Sequence, residues 1–142
     1  MAADSPCLCA NLRRVTRAVT AAYDAALRPV DLRITQFSIL RILDRLGPVG
    51  VTRLAMEAAL DRSTMGRNLD PLERRGFVRF VVNAADQRER VAALTEAGRA
   101  ALSAALPLWR DAQTRVETAL PPALVADLAG RLARIESPRP ET

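Results

Sequence analysis

Leu60-Asp61-Arg62-Ser63-Thr64-Met65-Gly66-Arg67-Asn68-Leu69-Asp70-Pro71-Leu72-Glu73-Arg74-Arg75-Gly76 is followed directly by Phe77-Val78-Arg79-Phe80-Val81-Val82, a polar run Asn83 to Glu89, and Arg90-Val91-Ala92-Ala93-Leu94-Thr95. The first part has the period of a helix. Asp61 stands where its carboxylate caps the first free backbone N–H groups, at the positive end of the helix dipole. Met65, Leu69 and Leu72 recur at helical spacing and define a core face. The opposite face carries Ser63, Thr64, Arg67 and Asn68, whose hydroxyl, guanidinium and amide groups are those that read base edges or clamp phosphates. Gly76, behind Arg74-Arg75, is a C-terminal stop with cations in the last turn. Pro71 removes a backbone hydrogen bond and predicts a bend, or an early end to the helix.

The second part reads as a hairpin. Phe77 to Val82 is rich in β-branched and aromatic residues, Arg90 to Leu94 is a weaker second strand, and Asn83 to Glu89 is the tip. Thr95-Glu96 caps the next helix. A charged hairpin by itself is compatible with any small domain. Placed behind a capped polar helix, the pair becomes a recognition helix followed by a wing.

Working outward, Val49-Gly50-Val51 is a very short strand suited to pair with the wing. Thr52 is expected to cap a short helix over Arg53 to Leu60, which completes a helix-turn-helix. Thr35 is expected to cap a more apolar helix through Phe37, Ile39, Leu40, Ile42, Leu43 and Leu46, stopped by Gly47-Pro48. Before it, Leu12, Val15, Val19, Ala22, Tyr23, Ala26 and Leu27 stripe a long helix that ends ahead of Pro29. After the wing, Glu96 to about Leu120 is one helix, with Pro107 predicting a kink. Pro121-Pro122 breaks the chain, and Leu124, Val125, Leu128, Leu132 and Ile135 stripe a last helix. A small winged helix does not need these terminal stripes for its own core. They serve either to extend that core or, as favoured here, to form a helical dimer interface.

Composition sets bounds. A single domain accounts for 142 residues, and 49% hydrophobic content supports a core. No run of about 18 apolar residues is present, so no membrane span is expected. The N-terminus lacks a basic segment leading into an apolar run and does not read as a signal peptide, so a cytoplasmic location is expected. The net charge is +5, and all 21 basic residues are arginine; this is compatible with DNA but is matched by many acids, so a phosphate-binding surface has to be local. Histidine is absent, which removes the commonest general base and zinc ligand. Cys7 and Cys9 cannot build a structural zinc site by themselves. No Gly-rich phosphate loop or nucleophile elbow occurs, and no metal, cofactor or catalytic residue is expected.

Asp86-Gln87-Arg88, followed by Leu94-Thr95 and Gly98, resembles the wing signature of the MarR family of transcription regulators. Asp61 to Thr64 running into Leu72 to Gly76 resembles that family's recognition helix, and Thr35-Gln36-Phe37 the start of its second helix. The resemblance covers nearly the whole chain. It implies a mainly α (α+β) winged helix-turn-helix with long N- and C-terminal helices forming a dimerisation lobe: residues about 33–96 for the winged helix, and about 10–28 and 96–136 for the lobe, within one domain over 1–142. It also implies a homodimer that binds a pseudo-palindromic site on double-stranded DNA, usually as a repressor. Carried over by position, Ser63, Thr64, Arg67 and Asn68 would enter the major groove, and Arg88, oriented by Asp86, the minor groove. Arg62, Arg79 and Arg90 would contact phosphates, as would Arg74 and Arg75 unless they only neutralise the helix end. Gly66, where many relatives have a larger polar residue, and Pro71 depart from the pattern and bear on sequence preference.

The resemblance further implies release from DNA by a small aromatic ligand held between the two lobes. Tyr23, Phe37, Arg41 and Trp109 are the candidate contacts; the plainer reading makes Phe37 core and Trp109 dimer packing. Cys7 and Cys9, near a helix start, are either a thiol sensor or inert apolar residues of a dimer interface. The competing function is a winged-helix module for protein–protein interaction without sequence-specific DNA binding. An enzyme reading, as the dimerisation lobe of a methyltransferase, would need a nucleotide-cofactor domain that these residues do not supply.

Overall fold

Leu27, Phe37, Ile39, Leu40, Leu43, Leu54, Met65, Leu69 and Leu72 are almost wholly removed from solvent and form one core. Each such side chain contributes about 2 kcal/mol of hydrophobic stabilisation, as an upper figure. The computed structural model describes residues 7–136. In order they form α1 (Leu8–Leu27), a 3-10 turn (Arg28–Val30), α2 (Ile34–Leu46), β1 (Val49–Gly50), α3 (Val51–Glu57), α4 (Arg62–Arg74), β2 (Val78–Val82), β3 (Arg90–Leu94), α5 (Glu96–Ala119) and α6 (Pro122–Glu136). Among these residues no helix is long and apolar enough to cross a membrane.

The three strands form an antiparallel sheet in the order β1-β3-β2. Val49 is opposite Ala92 and Gly50 opposite Val91, while Phe80 faces Ala92 and Val82 faces Arg90 across the hairpin. The short strand before the helix-turn-helix therefore does pair with the wing. Thr95 locks the wing to α5: its hydroxyl donates to the Gly76 carbonyl at 2.5 Å and accepts the Gly98 N–H at 3.0 Å. Gly98 is required there, because a Cβ would lie 2.1 Å from the Phe77 carbonyl oxygen.

Several local expectations are corrected. Thr35 lies inside α2 and does not cap it; Arg33 is the N-cap, and the Ile34 N–H donates to Asp24 of α1 at 2.8 Å. Thr52 likewise lies inside α3, which starts at Val51 straight out of β1 and ends at Glu57. Phe77 precedes the strand. Helix α4 does not end early at Pro71 but continues to Arg74; α5 is one helix from Glu96 to Ala119 with Pro107 inside it, as expected. Residue 71 follows about two and a half turns of α4, by which point Met65 and Leu69 already anchor the helix to the core.

Helix α6 stands apart energetically. Residues 121–135 are all exposed, including Leu124, Val125, Leu128, Leu132 and Ile135. A helix of 15 residues is marginal without an apolar face to bury.

Candidate nucleic-acid interface

The first turn of α4 is built around Asp61. Its carboxylate accepts the Thr64 backbone N–H and the Thr64 hydroxyl, each at 2.8 Å. The backbone bond from Thr64 is the main reason the Asp61 carboxyl is held below its usual pKa; the Thr64 hydroxyl adds to this, and Arg67 less so. Thr64 is thus the hub of the turn: its hydroxyl also accepts from Arg67 at 3.4 Å, and its carbonyl accepts the Asn68 amide at 2.9 Å. Arg62, Ser63 and Arg67 project as exposed side chains, whereas Thr64 and Asn68 are half-buried. With Met65, Leu69 and Leu72 buried beneath, one face is fixed in the protein and the other presents cations and hydroxyls outward.

The wing tip is ordered by its own polar side chains. Asn83 Oδ1 accepts the Ala85 N–H at 3.0 Å, and Asp86 Oδ1 accepts the Arg88 N–H at 3.0 Å. Both are Asx turns, in which a short side chain takes the place of a backbone acceptor. Asp86 therefore shapes the chain at Arg88, while the Arg88 side chain stands exposed at the tip. Arg79 is exposed on β2. Arg90 lies back over the Phe80 ring, 3.8 Å from its centroid, and does not extend from the tip.

The remaining arginines divide by what they already touch. Arg75 donates to the Asp31 carbonyl at 2.6 Å and sits 4.6 Å from the Phe77 ring centroid, so it braces the turn before α2. Arg74 is exposed in the last turn of α4.

The aromatic candidates are only partly brought together. Trp109 stacks on Phe37 with centroids 5.5 Å apart, and the Arg41 guanidinium lies 4.3 Å from the Trp109 ring centroid. Phe37 is a core residue, and the stack joins α2 to α5 within one chain. Tyr23 is elsewhere: its hydroxyl donates to Gln113, and it lines a groove of about 660 Å³ between α1, α5 and α6. Burial, and secondarily the Glu117 carboxylate, raises the Tyr23 pKa. Cys7 and Cys9 are exposed free thiols, and Cys9 accepts from Arg13 at 3.3 Å. Asp24, which accepts the Ile34 N–H, and Asn83 are not singled out by the sequence. Only Asn83 carried a local signal, as an Asx residue at the end of a strand.

Comparison with known proteins places this geometry. A family model described as the MarR family matches residues 32–89. The structure of the M. tuberculosis transcriptional regulator MosR in complex with DNA is 38% identical, covers 92% of this chain and 97% of its own, and superposes with a TM-score of 0.82. The chain belongs to the MarR family. The transcriptional repressor CouR, bound to a 23-mer DNA duplex, is 29% identical over 89% of this chain and 90% of its own, with a TM-score of 0.73. A mutant of E. coli MarR complexed with operator DNA, at 23% identity over 92% and 94% of the two chains and a TM-score of 0.77, shares the fold. The MarR-family chain is a winged-helix, DNA-binding transcription regulator, and the relatives it matches are regulators, not enzymes.

Proposed function

We propose that this protein is a cytoplasmic homodimer that binds a pseudo-palindromic operator on double-stranded DNA as a repressor. Ser63, Thr64, Arg67 and Asn68 face the major groove, Arg88 on its Asp86-shaped turn faces the minor groove, and Arg62, Arg79 and Arg90 face phosphates. The observation that carries this reading is the first turn of α4: Asp61 and the buried Met65 and Leu69 hold the helix, so that Arg62, Ser63 and Arg67 are presented outward on a rigid support. The 38% identity to MosR, solved on DNA, supports it.

The dimer rests on α6. An exposed row from Leu124 to Ile135, joined by Leu8, Leu12 and Val15 of α1, leaves the apolar faces of both terminal helices uncovered. A second copy covers both at once and sets two recognition helices at a fixed spacing, as a two-fold DNA site requires. Release follows if a small aromatic effector, or modification of Cys7 or Cys9, favours a spacing that DNA does not fit.

Fluorescence anisotropy tests the reading, using DNA upstream of the chain's own gene against scrambled DNA over a salt series. Selective binding with a steep salt slope is expected, since each phosphate contact releases counterions. Equal, weak binding to both duplexes would overturn it in favour of an interaction module.

A further inference from the structure

Among the described residues, nothing packs where a side chain at Gly66 would begin. Glycine in a helix interior is destabilising relative to alanine, so its presence there calls for a reason. Backbone conformation is not that reason, because the positive-φ glycines are Gly47 and Gly76. Internal space is not the reason either: a Cβ built on Gly66 meets nothing within 4 Å. Gly98 shows what an internal reason looks like, with its Cβ position 2.1 Å from a backbone oxygen.

The place of Gly66 on α4 supplies the reason. It lies one turn after Arg62 and Ser63 and one turn before Asp70, all exposed. It belongs to the N-terminal half of the helix, the part a recognition helix lays against base edges. The bare Cα there is a notch between projecting side chains.

We infer that Gly66 is a specificity-determining position, where the backbone of α4 lies against a base-pair edge in the DNA major groove more closely than any side chain allows. The inference rests on the DNA-binding reading above. It requires that the glycine weaken the free protein and strengthen the specific complex, two effects that a single substitution separates.

The test uses the full-length dimer and the tightest duplex that the unaltered protein recovers from a randomised pool. Gly66→Ala is expected to raise the melting temperature of the free protein by a few degrees, because helix propensity improves and nothing is displaced. The same variant is expected to lose about tenfold or more in affinity for the selected duplex, while binding to scrambled DNA and the salt slope stay unchanged. A pool reselected with Gly66→Ala returns a consensus altered at the base pair facing this position. Affinity within about twofold of the unaltered protein for the selected duplex would overturn the inference while leaving the DNA-binding reading intact. A fall in melting temperature would overturn it as well, by revealing an internal role for the glycine. Recovery of no duplex by the unaltered protein would defeat the DNA-binding reading, and this inference with it.

Discussion

The Asp86 carboxylate accepts the backbone N–H of Arg88 at 3.0 Å, so the acid shapes the chain beneath the arginine, whose side chain is exposed. Asparagine can accept the same bond, whereas alanine cannot. Asp86→Asn is therefore expected to bind operator DNA almost as the unaltered protein does. Arg88→Ala is expected to weaken binding about tenfold or more and, if the guanidinium meets phosphate, to reduce the salt slope by about one. Anisotropy titrations measure both. If Asp86→Asn proves as damaging as Arg88→Ala, the acid acts on the guanidinium and not on the turn.

The cap at Asp61 makes the stability of α4 depend on pH. Its folded pKa is lowered, chiefly by the Thr64 N–H bond, so its contribution is complete above the ordinary carboxylate pKa and is lost as pH falls through the lowered value. Asp61→Ala is expected to melt a few degrees below the unaltered protein near neutrality. That gap should narrow on acidification as the unaltered carboxylate becomes protonated. A gap that stays constant in thermal melts down to about pH 3 would mean that ionisation contributes nothing to the cap.

The Phe37–Trp109 stack is expected to act as a core joint between α2 and α5. Phe37→Ala should cost about 4 kcal/mol and Trp109→Ala, which starts half-buried, about 2 kcal/mol, by urea unfolding. Because the rings touch, the double variant should cost measurably less than the sum. Additive losses would show that the rings are energetically independent. Trp109 is the chain's sole tryptophan, so its emission follows the joint directly.

Helix α6 should fold only against a second copy. Leu128→Glu together with Leu132→Glu places charges in the middle of its exposed apolar row. Sedimentation at micromolar concentration is expected to show a monomer, and far-UV circular dichroism a loss of helix of about the length of α6. A dimer of unchanged stability would rule out this face as the interface.

Much of this was legible in the residues. Asp61 and Thr95 cap α4 and α5 as expected, and Gly76 stops α4 in the left-handed region with φ of 73°. The second strand runs from Arg90 to Leu94 as read. These features depend on chemistry a few residues apart, which a linear sequence displays. The starts of α2 and α3 differ from expectation because neither threonine is the cap, and at α2 the Gln36 side chain accepts the Arg33 N–H at 3.1 Å. A carboxylate on α1 serves the Ile34 N–H, so a threonine at 35 was not needed, and α3 begins directly out of β1.

By itself, the sequence determined the recognition helix, its stop, the hairpin and the order of the elements, through caps, glycine conformations and apolar periods that act over one or two turns. Only the tertiary structure decided that some arginines are already engaged, among them Arg75 on the Asp31 carbonyl, Arg90 on Phe80 and Arg41 on Trp109. It also decided that Trp109 packs within its own chain and that α6 does not. The physical reason is that a side chain's partners across the fold are set by how helices and strands pack together, and residues 10 to 72 positions apart in sequence meet in these contacts.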